Sequence, residues 1–184
     1  RSRPDPAAGR SVYSRLMSDL ENSSEFEHLP WQQVLWGQLL QAHRDERLHH
    51  ALLIGGMRGM GKTQLARNLA HFLFCTSPRP QGAPCGSCRG CRLFRAGTHP
   101  DFLLLGPDAE SKSGEIKIEA IRNLTEQSGL STSAGGYRVV IVAPAEQMNR
   151  HAANSLLKTL EEPVANTLIV LVTDHPGRML PTIR

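Results

Sequence analysis

The sequence lacks the long apolar runs and the cationic tracts that would point to a membrane or to a nucleic-acid groove. No stretch approaches the roughly eighteen consecutive apolar residues that a membrane helix needs, and residues 1–29 lack the basic-then-apolar pattern of a secretory signal. Aromatic residues make up only 5% of the chain and are not interleaved with arginines, so no stacking surface for single strands is indicated. We therefore expect a cytoplasmic protein without a membrane segment.

Cysteine is also scarce, and its spacing is informative. Cys75, Cys85, Cys88 and Cys91 are spaced C-x9-C-x2-C-x2-C, and the last three form a glycine-containing knuckle. Disulfides are rare in the cytoplasm, whereas four thiolates at this spacing can surround one tetrahedral metal ion. Sulfur ligands favour zinc over magnesium or calcium, with an iron–sulfur cluster as the competing interpretation. Since four ligands leave no open position, we predict a structural zinc module over about residues 75–100.

At 184 residues the chain can form one well-packed domain. Residues 1–29 are dominated by Pro, Ser, Arg and Glu and are predicted to be a flexible leader or a cloning remnant. From residue 30 onward, apolar strands alternate with helical segments, which predicts an α/β fold with a parallel sheet flanked by helices. Strands are predicted at residues 51–56, 101–107, 137–143 and 167–174, and the helices between them at 62–75, 116–128 and 149–163, the last one stopped by Pro163.

An additional amphipathic helix is predicted to begin at Pro30. Its apolar residues recur at spacings of three and four, which predicts one buried stripe. That stripe consists of Trp31, Val34, Leu35, Leu39 and Leu40.

The segment GMRGMGKT, residues 56–63, matches the phosphate-binding loop that joins a strand to a helix. Its glycines, Gly56, Gly59 and Gly61, allow backbone N–H groups to turn toward phosphate oxygens. Lys62 is expected to reach the terminal phosphates, and the Thr63 hydroxyl to bind magnesium. The predicted ligand is ATP or ADP with magnesium.

The strand RVVIV ends where a nucleotide hydrolase carries acidic residues, yet Ala143 and Pro144 follow it here. Neither side chain can hold magnesium or orient an attacking water. Glu146 comes two to three residues too late unless the loop is rearranged. We therefore assign no catalytic residue, expect no carboxylate beside the triphosphate, and predict that nucleotide is bound without turnover. At the end of the last predicted strand, Thr173 is left with two interpretations, a sensor of the γ-phosphate or a cap of its own turn.

Taken together, several motifs carry a family resemblance. HHALLIGGMRGMGKT, the cysteine knuckle, GTHPDF, NSLLKTLEEP and LPTIR occur in an order and spacing similar to those of the clamp-loader subunits of bacterial DNA polymerase III, which are AAA+ proteins. The resemblance covers about residues 30–184. The motor subunits of that family, gamma/tau, carry an Asp-Glu pair where this chain has Ala143 and Pro144, so the sequence more closely resembles the delta-prime type.

The resemblance implies a non-hydrolysing stator in a hetero-pentamer with delta and gamma/tau subunits, which together load the sliding clamp onto primed DNA. It also implies lid and collar domains after residue 184, so the chain is expected to be an amino-terminal piece that is monomeric by itself. Two alternatives stay open. One is a gamma/tau-like ATPase that uses Glu146, and the other is a zinc-dependent DNA-binding module that uses Arg89, Arg92 and Arg95.

Overall fold

The computed structural model describes residues 29–107, 115–116, 136–162, 165–179 and 182–183. The predicted leader apart from Leu29, and the helix predicted at 116–128 apart from Ile116, therefore lie outside the described residues. Within the described ranges the helices are α1 (Gln33–Arg44), α2 (Lys62–Phe74), α3 (Arg89–Arg95) and α4 (Arg150–Glu161), and the strands are β1 (Ala51–Gly55), β2 (Phe102–Leu105), β3 (Arg138–Val142) and β4 (Thr167–Thr173).

The four strands form one parallel sheet in the order β1-β4-β3-β2. The last of these four strands along the chain, β4, is thus inserted between β1 and β3. Gly55 at the end of β1 pairs with Thr173 at the end of β4, and Leu105 pairs with Val142. Because the strands are parallel and in register, their carboxyl ends lie along one edge, where ligands bind in open α/β sheets.

Apolar side chains cover both faces of this sheet. One cluster joins α1, α2 and α3 to alternate strand residues such as Val139 and Val170, and a second joins α4 to Val140 and Leu171 on the opposite face. These strand residues are at most 3% exposed, which explains why the two inner strands, β3 and β4, are nearly continuous in apolar residues. The predicted α/β architecture is confirmed.

The first helix differs from its prediction in the stripe that it buries. Pro30–Gln32 form a 3-10 turn before α1, and Trp31, Val34 and Leu35 are exposed. Leu39 and Leu40 are buried, as predicted, but the residue that completes their stripe is Trp36. Both triplets have the spacing i, i+3, i+4, so periodicity alone cannot choose between them. Tertiary contacts determine which stripe is buried. The Trp36 ring packs edge-on against the Phe72 ring, with 5.9 Å between the ring centroids, and its Nε1 donates to the Gln81 carbonyl at 3.1 Å.

The helix preceding the last strand agrees with the sequence pattern. The side chain of Asn149 caps α4 by accepting from the Ala152 N–H at 2.8 Å. The helix ends at Glu161; the predicted stop, Pro163, is not among the described residues. None of the described helices is long and apolar enough to cross a membrane.

Candidate functional site

The predicted phosphate loop connects β1 to α2, as the sequence indicates. Gly59 and Gly61 have φ values of 86° and 73°, in the left-handed region that favours glycine. Gly61 is also the residue that caps α2, so the loop wraps around the amino end of a 13-residue helix. The opening of the loop is tied to the sheet, because the Gly56 N–H donates to the Thr173 carbonyl at 3.3 Å. Backbone donors and the helix dipole both favour an anion at this position.

Residues before α1 support the loop from outside. The Gln32 Nε2 donates to the carbonyls of Met60 and Gly61 at 2.9 and 3.0 Å, and the Trp31 Nε1 donates to the Met60 carbonyl at 3.2 Å. These bonds occupy carbonyl groups of the loop and tie it to the segment that precedes α1. Neither residue was predicted to contact the loop, because the helical pattern assigned Trp31 to the buried stripe and Gln32 belongs to no motif.

A cavity of about 390 Å³ opens beside the loop. This volume lies in the range of small-molecule sites, roughly 300–1,000 Å³. Three cationic side chains, Arg58, Lys62 and Arg67, line it together with the Thr63 side chain. The remaining lining residues are Gly59, Gly61, Gln64, Ala143, Pro144, Val172 and Asp174. Of the five predicted loop residues, Gly59, Gly61, Lys62 and Thr63 line the cavity, whereas Gly56 does not line it and is hydrogen-bonded to the end of β4.

The end of β3 reaches this cavity with side chains that cannot hold a metal ion. Ala143 and Pro144 both line the cavity, as their position after β3 predicts. Glu146 instead lines a separate cavity of about 240 Å³, with Arg150 and Met179 among its neighbours. Its Oε1 accepts from the Asp174 N–H at 3.2 Å, so the side chain braces the end of β4.

One carboxylate is nevertheless present, which corrects the expectation that none lies beside the loop. The Lys62 Nζ lies 2.7 Å from the Asp174 Oδ1 and also donates to the Met57 carbonyl at 2.6 Å. Asp174 follows β4 directly, and β4 lies beside β1 in the sheet. The two residues are 112 positions apart in the sequence. The only available signal was an acidic residue at the carboxyl end of a predicted strand.

Thr173 caps its own turn in this structure. Its side chain is fully buried, and its Oγ1 accepts from the His175 N–H at 3.0 Å. Of the two interpretations of this residue, the cap is the one for which the structure provides a contact.

The four cysteines come together at one end of α2. Cys75 ends that helix, and Cys88 caps α3 by accepting from the Cys91 N–H at 3.4 Å. Two more backbone N–H groups point at sulfur: Cys85 N at Cys75 Sγ, 3.2 Å, and Cys88 N at Cys85 Sγ, 3.4 Å. All four Sγ atoms lie within 4.8 Å of one another, and no disulfide joins them.

This arrangement fits a tetrahedral metal ion. With zinc–sulfur bonds of about 2.3 Å, the sulfur atoms of a tetrahedral site lie roughly 3.8 Å apart. The Cys85 and Cys91 sulfur atoms are already 4.0 Å apart. Hydrogen bonds from the N–H groups of Cys88 and Ser87 lower the pKa of Cys85 to about 6, while burial raises the pKa of Cys75 and of Cys91. A bound cation would displace protons from the two buried thiols and compensate the negative charge on all four sulfurs.

The arginines of the module do not act alike. Arg95 donates to the Gly86 carbonyl at 2.6 Å and so braces the knuckle, at a glycine whose φ is 79°. Arg89 and Arg92 are exposed.

The sheet order, the loop and the cavity at the carboxyl edge define a phosphate-loop α/β domain of the AAA+ class. A solved structure of a DNA polymerase III gamma subunit-related protein from Thermotoga maritima is similar to it, with a TM-score of 0.57 and 27% identity over 79% of this chain and 42% of the other. The profile of a family described as "DNA polymerase III, delta subunit" matches residues 31–184.

Curated relatives narrow this class to one subunit type. Over 155 residues, which are 84% of this chain, it is 44% identical to the DNA polymerase III subunit delta' of Pseudomonas aeruginosa and 41% identical to that of Escherichia coli. A tau subunit, from Salmonella typhimurium, matches at 37% over 137 residues. The chain belongs to the family of DNA polymerase III delta-prime subunits. It spans 45% and 46% of the length of the two delta' relatives.

Proposed function

We propose that this chain is the AAA+ part of a delta-prime subunit and acts as a non-hydrolysing stator of the DNA polymerase III clamp loader in the cytoplasm. In this proposal residues 30–184 form the AAA+ domain, with the zinc module inserted at about residues 75–100. Its partners are gamma/tau and delta subunits, and through them the sliding clamp and primed DNA. The relatives named delta' and tau support these partners.

The observation that carries the stator role is the composition of the β3 edge. Ala143 and Pro144 occupy the part of the cavity where a hydrolase needs a metal-binding carboxylate and a second acid for the water. Glu146, the candidate substitute, lines another cavity and is bonded to the backbone of Asp174. A gamma/tau-like motor would have to move this side chain.

We propose that the loop binds ATP or ADP with magnesium. The backbone N–H groups at Gly56, Gly59 and Gly61 would surround the phosphates, Lys62 would contact the terminal ones, and the Thr63 hydroxyl would hold magnesium. The cavity geometry and the surplus of cationic side chains support this assignment.

We also propose that Cys75, Cys85, Cys88 and Cys91 hold a structural zinc ion. The metal ion would cross-link the irregular segment between α2 and β2, which has few apolar side chains to form a core of its own. The sulfur distances and the N–H groups directed at sulfur support zinc.

Steady-state ATPase of the purified chain, with and without primed DNA, tests the stator role. We expect turnover far below roughly 1 per second, the low end of ordinary enzymes. Lys62→Ala measures contaminating activity, and Glu146→Gln asks whether that acid contributes. Turnover near 1 per second that both variants abolish would establish the motor alternative.

Titration with labelled ATP and ADP, with metal quantified in the same preparation, tests the two sites. We expect nucleotide binding that Lys62→Ala abolishes and about one zinc per chain, as a single four-sulfur site requires. DNA binding that falls steeply with salt and is lost when Arg89 and Arg92 are replaced would instead support the DNA-binding module.

A further inference from the structure

The ion pair between Lys62 and Asp174 lies inside the candidate phosphate site. Both side chains line the cavity, and the Lys62 side chain is only 8% exposed. An ammonium group has three N–H donors, and two of those on Lys62 are already directed at Asp174 Oδ1 and the Met57 carbonyl. A phosphate that approaches Lys62 therefore has to compete with the Asp174 carboxylate, which already accepts a hydrogen bond from the ammonium group.

The position of Asp174 is fixed by the sheet and not by a flexible loop. Asp174 directly follows Thr173, the last residue of β4, which pairs with Gly55 just before the loop. Its own N–H is held by Glu146 at 3.2 Å. The backbone that carries the carboxylate is thus held in place when an anion enters, and the low exposure of the Lys62 side chain limits screening of the ion pair by solvent.

We propose that Asp174 is a specificity-determining residue of this phosphate site: its carboxylate competes with phosphate for Lys62, disfavours metal-free anions and leaves the metal-complexed nucleotide favoured. This inference rests on the proposed nucleotide binding. A metal-free triphosphate places its full negative charge beside Asp174, whereas a divalent cation on the phosphates offsets part of that charge. Metal selectivity then arises from repulsion as well as from attraction.

The test compares the wild type with Asp174→Asn. Asparagine has nearly the same shape as aspartate but no charge. Its backbone N–H can still donate to the Glu146 carboxylate. Asp45→Asn is the matched control, because Asp45 pairs with Arg47 at an exposed position and does not line the cavity. Affinities are measured by calorimetry for ATP in excess chelator and for ATP with magnesium, and melting curves confirm that each variant is folded.

We expect Asp174→Asn to bind metal-free ATP about tenfold more tightly, a change of about 1.4 kcal/mol, and magnesium ATP within about threefold of the wild type. Asp45→Asn should leave both affinities unchanged. A second measurement does not depend on nucleotide. Acylation of Lys62 by a small reagent, read by mass spectrometry, should be several-fold faster in Asp174→Asn, because the ion pair is lost.

Each other outcome overturns the proposal in a recognisable way. Selective loss of magnesium ATP binding would make Asp174 a metal ligand, and equal weakening of both forms would make it a structural support. Unchanged affinities in a wild type that does bind nucleotide would refute the role of Asp174 alone. Absence of any binding in both proteins would refute the nucleotide site itself and the selectivity with it.

Discussion

Replacing Gly90 by alanine should disrupt the cysteine site although it removes no ligand. Gly90 lies in α3 next to Cys91, and it packs against Phe74, the last residue of α2 before Cys75. A Cβ at residue 90 would overlap the Phe74 carbonyl oxygen and lie 3.0 Å from its carbonyl carbon. Both contacts are with backbone atoms, so no side-chain rotation can relieve them.

The size of the effect follows from the movement that is needed. Restoring an ordinary carbon–oxygen contact requires the two helices to separate by on the order of 1 Å, whereas metal–ligand distances tolerate only about 0.2 Å. Overpacking of this kind costs about 1–3 kcal/mol. Because the helices carry Cys75 and Cys91, we expect this cost to appear in zinc affinity, as a loss of about tenfold or more.

The assay is competition for zinc with a colorimetric chelator, together with metal content and thermal melting. Gly37→Ala is the control, since it places the same substitution in helix α1 with no atom within 4 Å of the new Cβ. It should keep the zinc and stabilise the helix by at most about 1 kcal/mol. If Gly90→Ala holds stoichiometric zinc as tightly as the wild type, the close approach of the two helices does not build the site.

Three further outcomes are expected. In metal-free protein Cys85 should be alkylated before the other cysteines, at a rate that rises through pH 6. The reason is that the N–H of Cys88 stabilises the Cys85 thiolate and lowers its pKa to about 6. Peptide mapping after iodoacetamide treatment checks this, and faster labelling of another cysteine would contradict it. Burial lowers the pKa of His71 to about 4, so the unfolded chain binds the proton more readily and stability should fall as pH drops from 6.5 to 4. The melting temperature of His71→Phe should fall less over that window, and equal slopes would contradict the assignment. Finally, Gln32→Ala removes the side-chain donor to the Met60 carbonyl, at a cost of about 0.5–1.5 kcal/mol per hydrogen bond, and should weaken nucleotide binding several-fold. An unchanged affinity would show that the phosphate loop keeps its conformation without this bond.

Features that depend on neighbouring residues were predictable. The cysteine knuckle and the glycine loop each lie within a short stretch of chain, and their spacing carries the geometry of the ligands that they are proposed to bind. The strands were predictable because a parallel sheet covered on both faces needs nearly continuous apolar residues. The absence of acidic residues after β3 could also be predicted, and the structure places Ala143 and Pro144 at the cavity.

The helical stripe of α1 shows where periodicity fails. Two stripes with identical spacing start at Trp31 and Trp36, and hydrophobicity cannot rank them. The contact of Trp36 with Phe72 decides the outcome, and it joins residues that are far apart in the sequence. Trp31, left outside the core, instead donates to the Met60 carbonyl of the loop.

The amino-acid sequence by itself determined the sheet-forming segments, the phosphate loop, the cysteine module and the bare end of β3, because each is a property of a contiguous segment. Only the tertiary structure decided that β4 lies between β1 and β3, and hence that Asp174 reaches Lys62. The physical reason is the crossover topology of the parallel sheet: it joins strand ends that the sequence separates by more than a hundred residues, and the charge of the site depends on which ends meet.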